Sequence, residues 1–99
     1  MFINVIKSYR NVVAICDKEL LGKVFEEGNF QLDVKENFFK GEEEASEEKA
    51  IQRIRQMSLE DSTFNIVGEE SVNAAIKAGI LSNEEVGRIK DIPFALVLV

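Results

Sequence analysis

Five consecutive apolar residues, Val12-Val13-Ala14-Ile15-Cys16, constrain this chain more than any other stretch. A run with no polar side, far shorter than a bilayer span, predicts a strand covered on both faces and therefore central in its sheet. The segment before it, Phe2 to Tyr9, is rich in β-branched and aromatic residues and predicts a neighbouring strand. Arg10-Asn11 supplies a two-residue turn between them, asparagine being tolerant of positive φ.

The rest of the chain arranges itself around that core strand. Asp17 is a candidate N-cap for one helical turn ending at Gly22, a residue suited to the left-handed position after a helix. Lys23 to Phe25 begins an extended segment and Glu26 to Asn29 makes a turn. Phe30, Leu32 and Val34 then alternate with Gln31 and Asp33, which predicts a strand with one wet face and a half-exposed sheet. Ser46 is the N-cap of an amphipathic helix carrying the stripe Ala50, Ile51, Ile54 and Met57. Gly41 to Ala45 is expected to be a mobile loop. Phe64 to Val67 reads as a short strand, Gly68 as a break, and Val72, Ala75, Ile76 and Ile80 as a second helix closed at Gly79. Leu81 to Val86 predicts a turn or helical stub. Gly87 to Lys90 and Phe94 to Val99 predict strands flanking Asp91-Ile92-Pro93, with Pro93 at an edge or a strand entrance. The six apolar residues Phe94 to Val99 fit a strand buried on both sides; the rival is an exposed edge that pairs with another chain. Together these elements predict one α+β domain over residues 1–99. Its mainly antiparallel sheet has about five or six strands, with two main helices on one face.

Composition narrows the chemistry. The chain has 99 residues, no histidine and a single cysteine. The commonest acid–base catalyst and zinc ligand is thus missing, and an internal disulfide is ruled out. The opening residues lack the apolar core of a secretion signal, which points to the cytoplasm. The net charge of −6 disfavours broad attraction to nucleic acid or to an anionic membrane. That charge is uneven. Residues 41–48 hold five glutamates and no base, whereas residues 49–58 hold Lys49, Arg53 and Arg55 and no acid.

Several candidate sites follow. Thr63 to Leu81 has the strand–glycine–helix layout that cradles phosphate at a helix N-terminus. Here Glu69 and Glu70 oppose an anion at that end, and the further glycines or lysine of the nucleotide-binding motifs are missing. The glutamates between Glu42 and Glu48 are adjacent in sequence and diverge, which suits a solvated acidic loop better than a cation site. Cys16 has no histidine to activate it and Asp17 opposes its ionisation, so it reads as a buried structural thiol. Lys7, Arg10, Lys18, Lys23, Lys35 and Lys40, with Tyr9, Phe38 and Phe39, could form a basic-aromatic face for single-stranded RNA. The six acids interleaved among them favour scattered surface charge. Asn65 places an amide in an otherwise apolar strand, where it must find partners.

The segments Cys16-Asp17 with Leu20-Leu21-Gly22-Lys23, Asn65 to Glu69, and the late Ile92-Pro93 resemble the archaeal family called domain of unknown function 424. The resemblance extends from about Tyr9 to Pro93. It implies an archaeal cytoplasmic protein with a small fold of sheet and helices, associated with translation, and it brings no catalytic residue, metal or cofactor. Where that family tends to place histidine after the proline, this chain has Phe94, so a histidine-dependent role does not carry over. The expectation is a non-enzymatic binding or adaptor protein in translation or RNA metabolism, with Asp17, Lys23, Asn65, Gly68 and Glu69 as binding candidates. Its partner would be a protein, RNA or the ribosome, and not a membrane. The alternatives are a homodimeric interaction module joined through Phe94 to Val99, and a small enzyme using Asp17, Lys23 or Glu69 as acid–base groups.

Overall fold

The computed structural model describes residues 1–41 and 43–99, without the side chain of Glu43. The core run becomes β2 (Asn11–Cys16), flanked by β1 (Phe2–Ile6) on one side and β6 (Ser62–Val67) on the other. Its residues Val13, Ala14, Ile15 and Cys16 are fully buried, as a strand without a polar side requires. A 3₁₀ turn (Lys18–Leu20) leads from β2 to a hairpin of β3 (Val24–Glu27) and β4 (Phe30–Asp33). Then come a single-turn helix α1 (Glu36–Phe39), a two-residue strand β5 (Glu43–Glu44) and the amphipathic helix α2 (Glu47–Met57). Helix α3 (Glu69–Ala78) follows β6, and β7 (Gly87–Ile89) and β8 (Ile92–Leu98) close the chain as a hairpin.

The main sheet has the order β5-β1-β2-β6-β8-β7. Every neighbouring pair is antiparallel except β2 and β6, which run parallel from Asn11 opposite Ser62 to Cys16 opposite Val67. A parallel pair needs a long crossover, and the segment from the 3₁₀ turn through α2 provides it. Helices α2 and α3 pack side by side on one face. Ala50, Ile54 and Met57 of α2 and Val72 and Ala75 of α3 meet Ile3, Val13, Ile15, Phe64 and Ile66 of the sheet. Ser46 caps α2 by accepting from the Lys49 amide at 3.3 Å. On the opposite face Leu20, Val34 and Phe39 cover Ala14, Cys16 and Val67, near the carboxyl ends of the parallel pair.

Six expectations change. The β3–β4 hairpin is a separate two-stranded sheet and does not extend the main one. Phe30 is exposed while Val34, on the same side of the strand, is buried, because the hairpin projects away from the core at its tip. The β1–β2 turn lies at Ser8 to Arg10, and Asn11, which has no positive φ, already belongs to β2. Of the expected loop from Gly41 to Ala45, Glu43–Glu44 pair with Phe2 and Ile3, and Glu42 lies outside the described residues. The strand from Phe94 to Val99 is not buried on both sides: Ala95 is buried, but Leu96 and Leu98 are 62% and 67% exposed, since the β3–β4 hairpin and α1 reach only the near end of the second face. A sixth correction concerns Asp17 and leads into the candidate site.

Candidate functional site

In a sheet with parallel strands, ligands collect beyond the carboxyl ends. Here β2 ends against Asp17 and β6 against Gly68. Asp17 does not cap its own 3₁₀ turn. Only 2% of it is exposed, and its carboxylate reaches across to the first turn of α3. Oδ2 accepts from the Glu70 amide at 3.1 Å, and Oδ1 accepts from the Ser71 amide at 2.8 Å and the Ser71 hydroxyl at 2.7 Å. Gly68, at the N-cap position, has no side chain to serve these amides. Its φ of +109° is open to glycine, and a Cβ there would collide with the Asp17 carboxyl group. The helix end that could have held a phosphate holds the chain's own carboxylate instead.

This brings together two of the sequence-derived candidates, Asp17 and Gly68, in a structural role. Glu69 is adjacent but turned out to solvent, where Arg88 lies 3.2 Å away. Asp17, Glu19 and Glu70 each bring an oxygen within 4.8 Å of the others, yet both Asp17 oxygens already accept from α3. Cys16 is fully buried beneath them. Its burial first, and the Asp17 charge second, push the thiol up to about 12, so it is protonated at neutral pH.

The remaining candidates do not converge on this point. Lys23 is exposed at the approach to β3, and its main chain ties Leu20 to Val34 at 3.1 and 2.9 Å. Asn65 is half-buried in a shallow cleft of about 220 Å³ with Leu32, Phe38, Phe94 and Leu96. Nor do the basic and aromatic candidates gather on one face among the described residues. Arg10 clamps the C-terminal end through Thr63 Oγ1 at 3.0 Å and the Val99 carbonyl at 2.8 Å, Lys18 and Lys40 face Glu44 and Glu36, and Phe39 is buried.

A groove of about 480 Å³ lies elsewhere, between β1 and helix α2. On the helix wall Lys49, Gln52, Arg53 and Gln56 form one stripe at i, i+3, i+4 and i+7. On the strand wall stand Ile3, Asn4 and Val5, with Lys7 at the end. Asn4 presents its main chain there, because its side-chain amide is turned to the opposite face and donates to the Phe38 carbonyl at 2.8 Å. Among the described residues, none of Lys7, Lys49 and Arg53 is in an ion pair. Arg53 instead donates to the Gln56 amide oxygen at 2.9 Å. A basic groove on a chain of net charge −6 is a local concentration of positive charge. Sequence reasoning named Lys49 and Arg53 only as part of the acid-free basic stretch of residues 49–58. The visible signal was the acid-free polar stripe opposite Ala50, Ile54 and Met57.

The family model described as "Protein of unknown function (DUF424)" matches residues 6–99, nearly the whole chain. The chain belongs to that family. A crystal structure of an uncharacterized conserved protein from Methanopyrus kandleri is similar in fold, with a TM-score of 0.88 at 22% identity, covering 99% of this chain and 90% of the other. Among curated proteins, nothing matches. No helix among the described residues of this DUF424 protein is long and apolar enough to cross a membrane.

Proposed function

We propose that this chain is a non-enzymatic binding or adaptor protein of the archaeal cytoplasm, acting in translation or RNA metabolism, and that it captures an anionic partner in the groove between β1 and α2. One observation carries the reading: a single groove gathers Lys7, just past the end of β1, with Lys49, Gln52, Arg53 and Gln56 of helix α2. The enzyme alternative has weaker support, because Asp17 is engaged by α3, Glu69 faces Arg88, and Lys23 stands exposed at the head of the hairpin. The setting in translation rests on the family resemblance and on the anionic character of ribosomal RNA and acidic factors.

Sucrose-gradient fractionation of host lysate, with and without ribonuclease, tests this reading in cells carrying the wild-type chain or Lys49→Glu/Arg53→Glu. Co-migration of the wild type with a ribosomal subunit or a factor complex, lost on charge reversal, is the expected result. Both chains at the top of the gradient, or equal co-migration of the two, would overturn it. A second reading, a homodimer through Phe94 to Val99, is favoured by the exposure of Leu96 and Leu98 beside a β8 edge that β7 covers only from Ile92 to Phe94.

A further inference from the structure

We infer that the occupant of the groove is an acidic segment of another polypeptide, bound in extended form as an added strand on β1. This rests on the groove reading above and names its ligand class. The main chain supplies the first argument. Met1 exchanges both of its backbone bonds with Ala45, its nitrogen donating at 3.1 Å and its carbonyl accepting at 2.7 Å. In an antiparallel ladder every second residue faces the same neighbour, so Ile3 and Val5 direct their N–H and C=O groups to that same side. Strand β5 pairs with Phe2 and Ile3 and, among the described residues, with nothing further along β1. The chain at Gly41 abuts the Ile3 carbonyl and the Asn4 Cα, so the unpaired stretch begins at Val5, whose N–H and C=O have no ladder partner on that side among the described residues and offer a starting template for an incoming strand.

Charge supplies the second argument. A strand laid beside β1 sends alternate side chains toward the α2 side of the sheet, where Lys49 and Arg53 stand one helical turn apart. Lys7 stands on the strand wall beyond Val5. Acidic residues at every second position of the incoming strand would meet this wall, whereas a basic strand would be repelled by it. The third argument separates polypeptide from RNA. Among the described residues no aromatic side chain lines the groove to stack a base, and an unpaired strand edge is matched by a peptide backbone and not by a phosphodiester.

Fluorescence anisotropy with the full chain and a labelled, alternating valine–glutamate octapeptide tests the inference. The acidic peptide is expected to bind at low salt and its valine–lysine counterpart not to bind. Lys49→Glu/Arg53→Glu is expected to weaken binding by about tenfold or more. Lys49→Ala/Arg53→Ala, a milder change, should fall between, and circular dichroism verifies that both variants are folded. Methylating the amide nitrogens of the valines alone, and of the glutamates alone, gives two further peptides. Strand addition requires that one of these fail and the other bind like the parent, because only alternate amides face β1. No binding of the acidic peptide, equal binding by the charge-reversed chain, or equal binding of both methylated peptides would overturn the proposal. Capture of a labelled octauridylate instead, lost on charge reversal, would also overturn it while leaving the groove as the binding site. Both chains at the top of the gradient, by contrast, would remove the setting in translation, and the peptide measurement alone would then decide the groove's ligand.

Discussion

At the scale of single residues, the Asp17–Gly68 pair couples the two parallel strands to the start of α3. Removing the carboxylate strands two amides and a hydroxyl that are buried or partly so, so Asp17→Ala is expected to lower stability by about 2–3 kcal/mol. Gly68→Ala must both strain a backbone at φ +109° and push into Asp17, and is expected to cost more than about 1 kcal/mol. The double variant should lose less than the sum, since deleting the carboxylate removes the collision and leaves only the strain. Urea unfolding of the four chains measures this; strict additivity would mean that the two residues do not meet. Cys16 gives a pH signature. Its thiol is raised from the ordinary 9.0 to about 12, mainly by burial. A folded value above the unfolded one means that stability is whole below the unfolded value and is lost as pH rises through the folded value. The expected outcome is a decline in stability from about pH 9 upward that flattens in Cys16→Ala, together with a thiol that resists labelling at pH 8 until the chain unfolds.

At the scale of elements, the β7–β8 hairpin turns at Lys90 and Asp91, both left-handed with φ of 53° and 63°. Such a two-residue turn matches the strand twist but suits asparagine and glycine far better than lysine and aspartate. Replacing the pair by Asn-Gly is expected to raise stability by about 0.5–1 kcal/mol, read as a higher urea midpoint with an unchanged slope. The helices were legible because their apolar stripes, the Ser46 cap and the glycine at 79 are local signals, and Gly79 is indeed left-handed at the C-cap. The β3–β4 hairpin was legible as strands but not as a separate sheet. Alternation of Phe30, Leu32 and Val34 says that one side is covered, not by which partner, and the pairing is decided by contacts far away in sequence.

At the scale of the whole molecule, the second face of the sheet is half covered. Ile6, Leu96 and Leu98 stay exposed on it, while the hairpin and α1 protect the end near Cys16. If copies of the chain close this gap through β8, multi-angle light scattering should give twice the monomer mass, and Leu96→Lys/Leu98→Lys should return it to the monomer. A monomer at all concentrations would dismiss the dimer without touching the groove. Local patterning in the sequence determined the α+β class, the buried central strand, the two helices on one face and the inert thiol, because each depends on periodicity, caps or composition within a few residues. Only the tertiary structure decided that β2 and β6 are parallel and that the anion at the N-terminus of α3 is Asp17. It alone placed Lys7 with Lys49 and Arg53 around an open strand edge. These facts join residues more than forty positions apart, and no local preference for helix, strand or turn records which distant segment a side chain will meet.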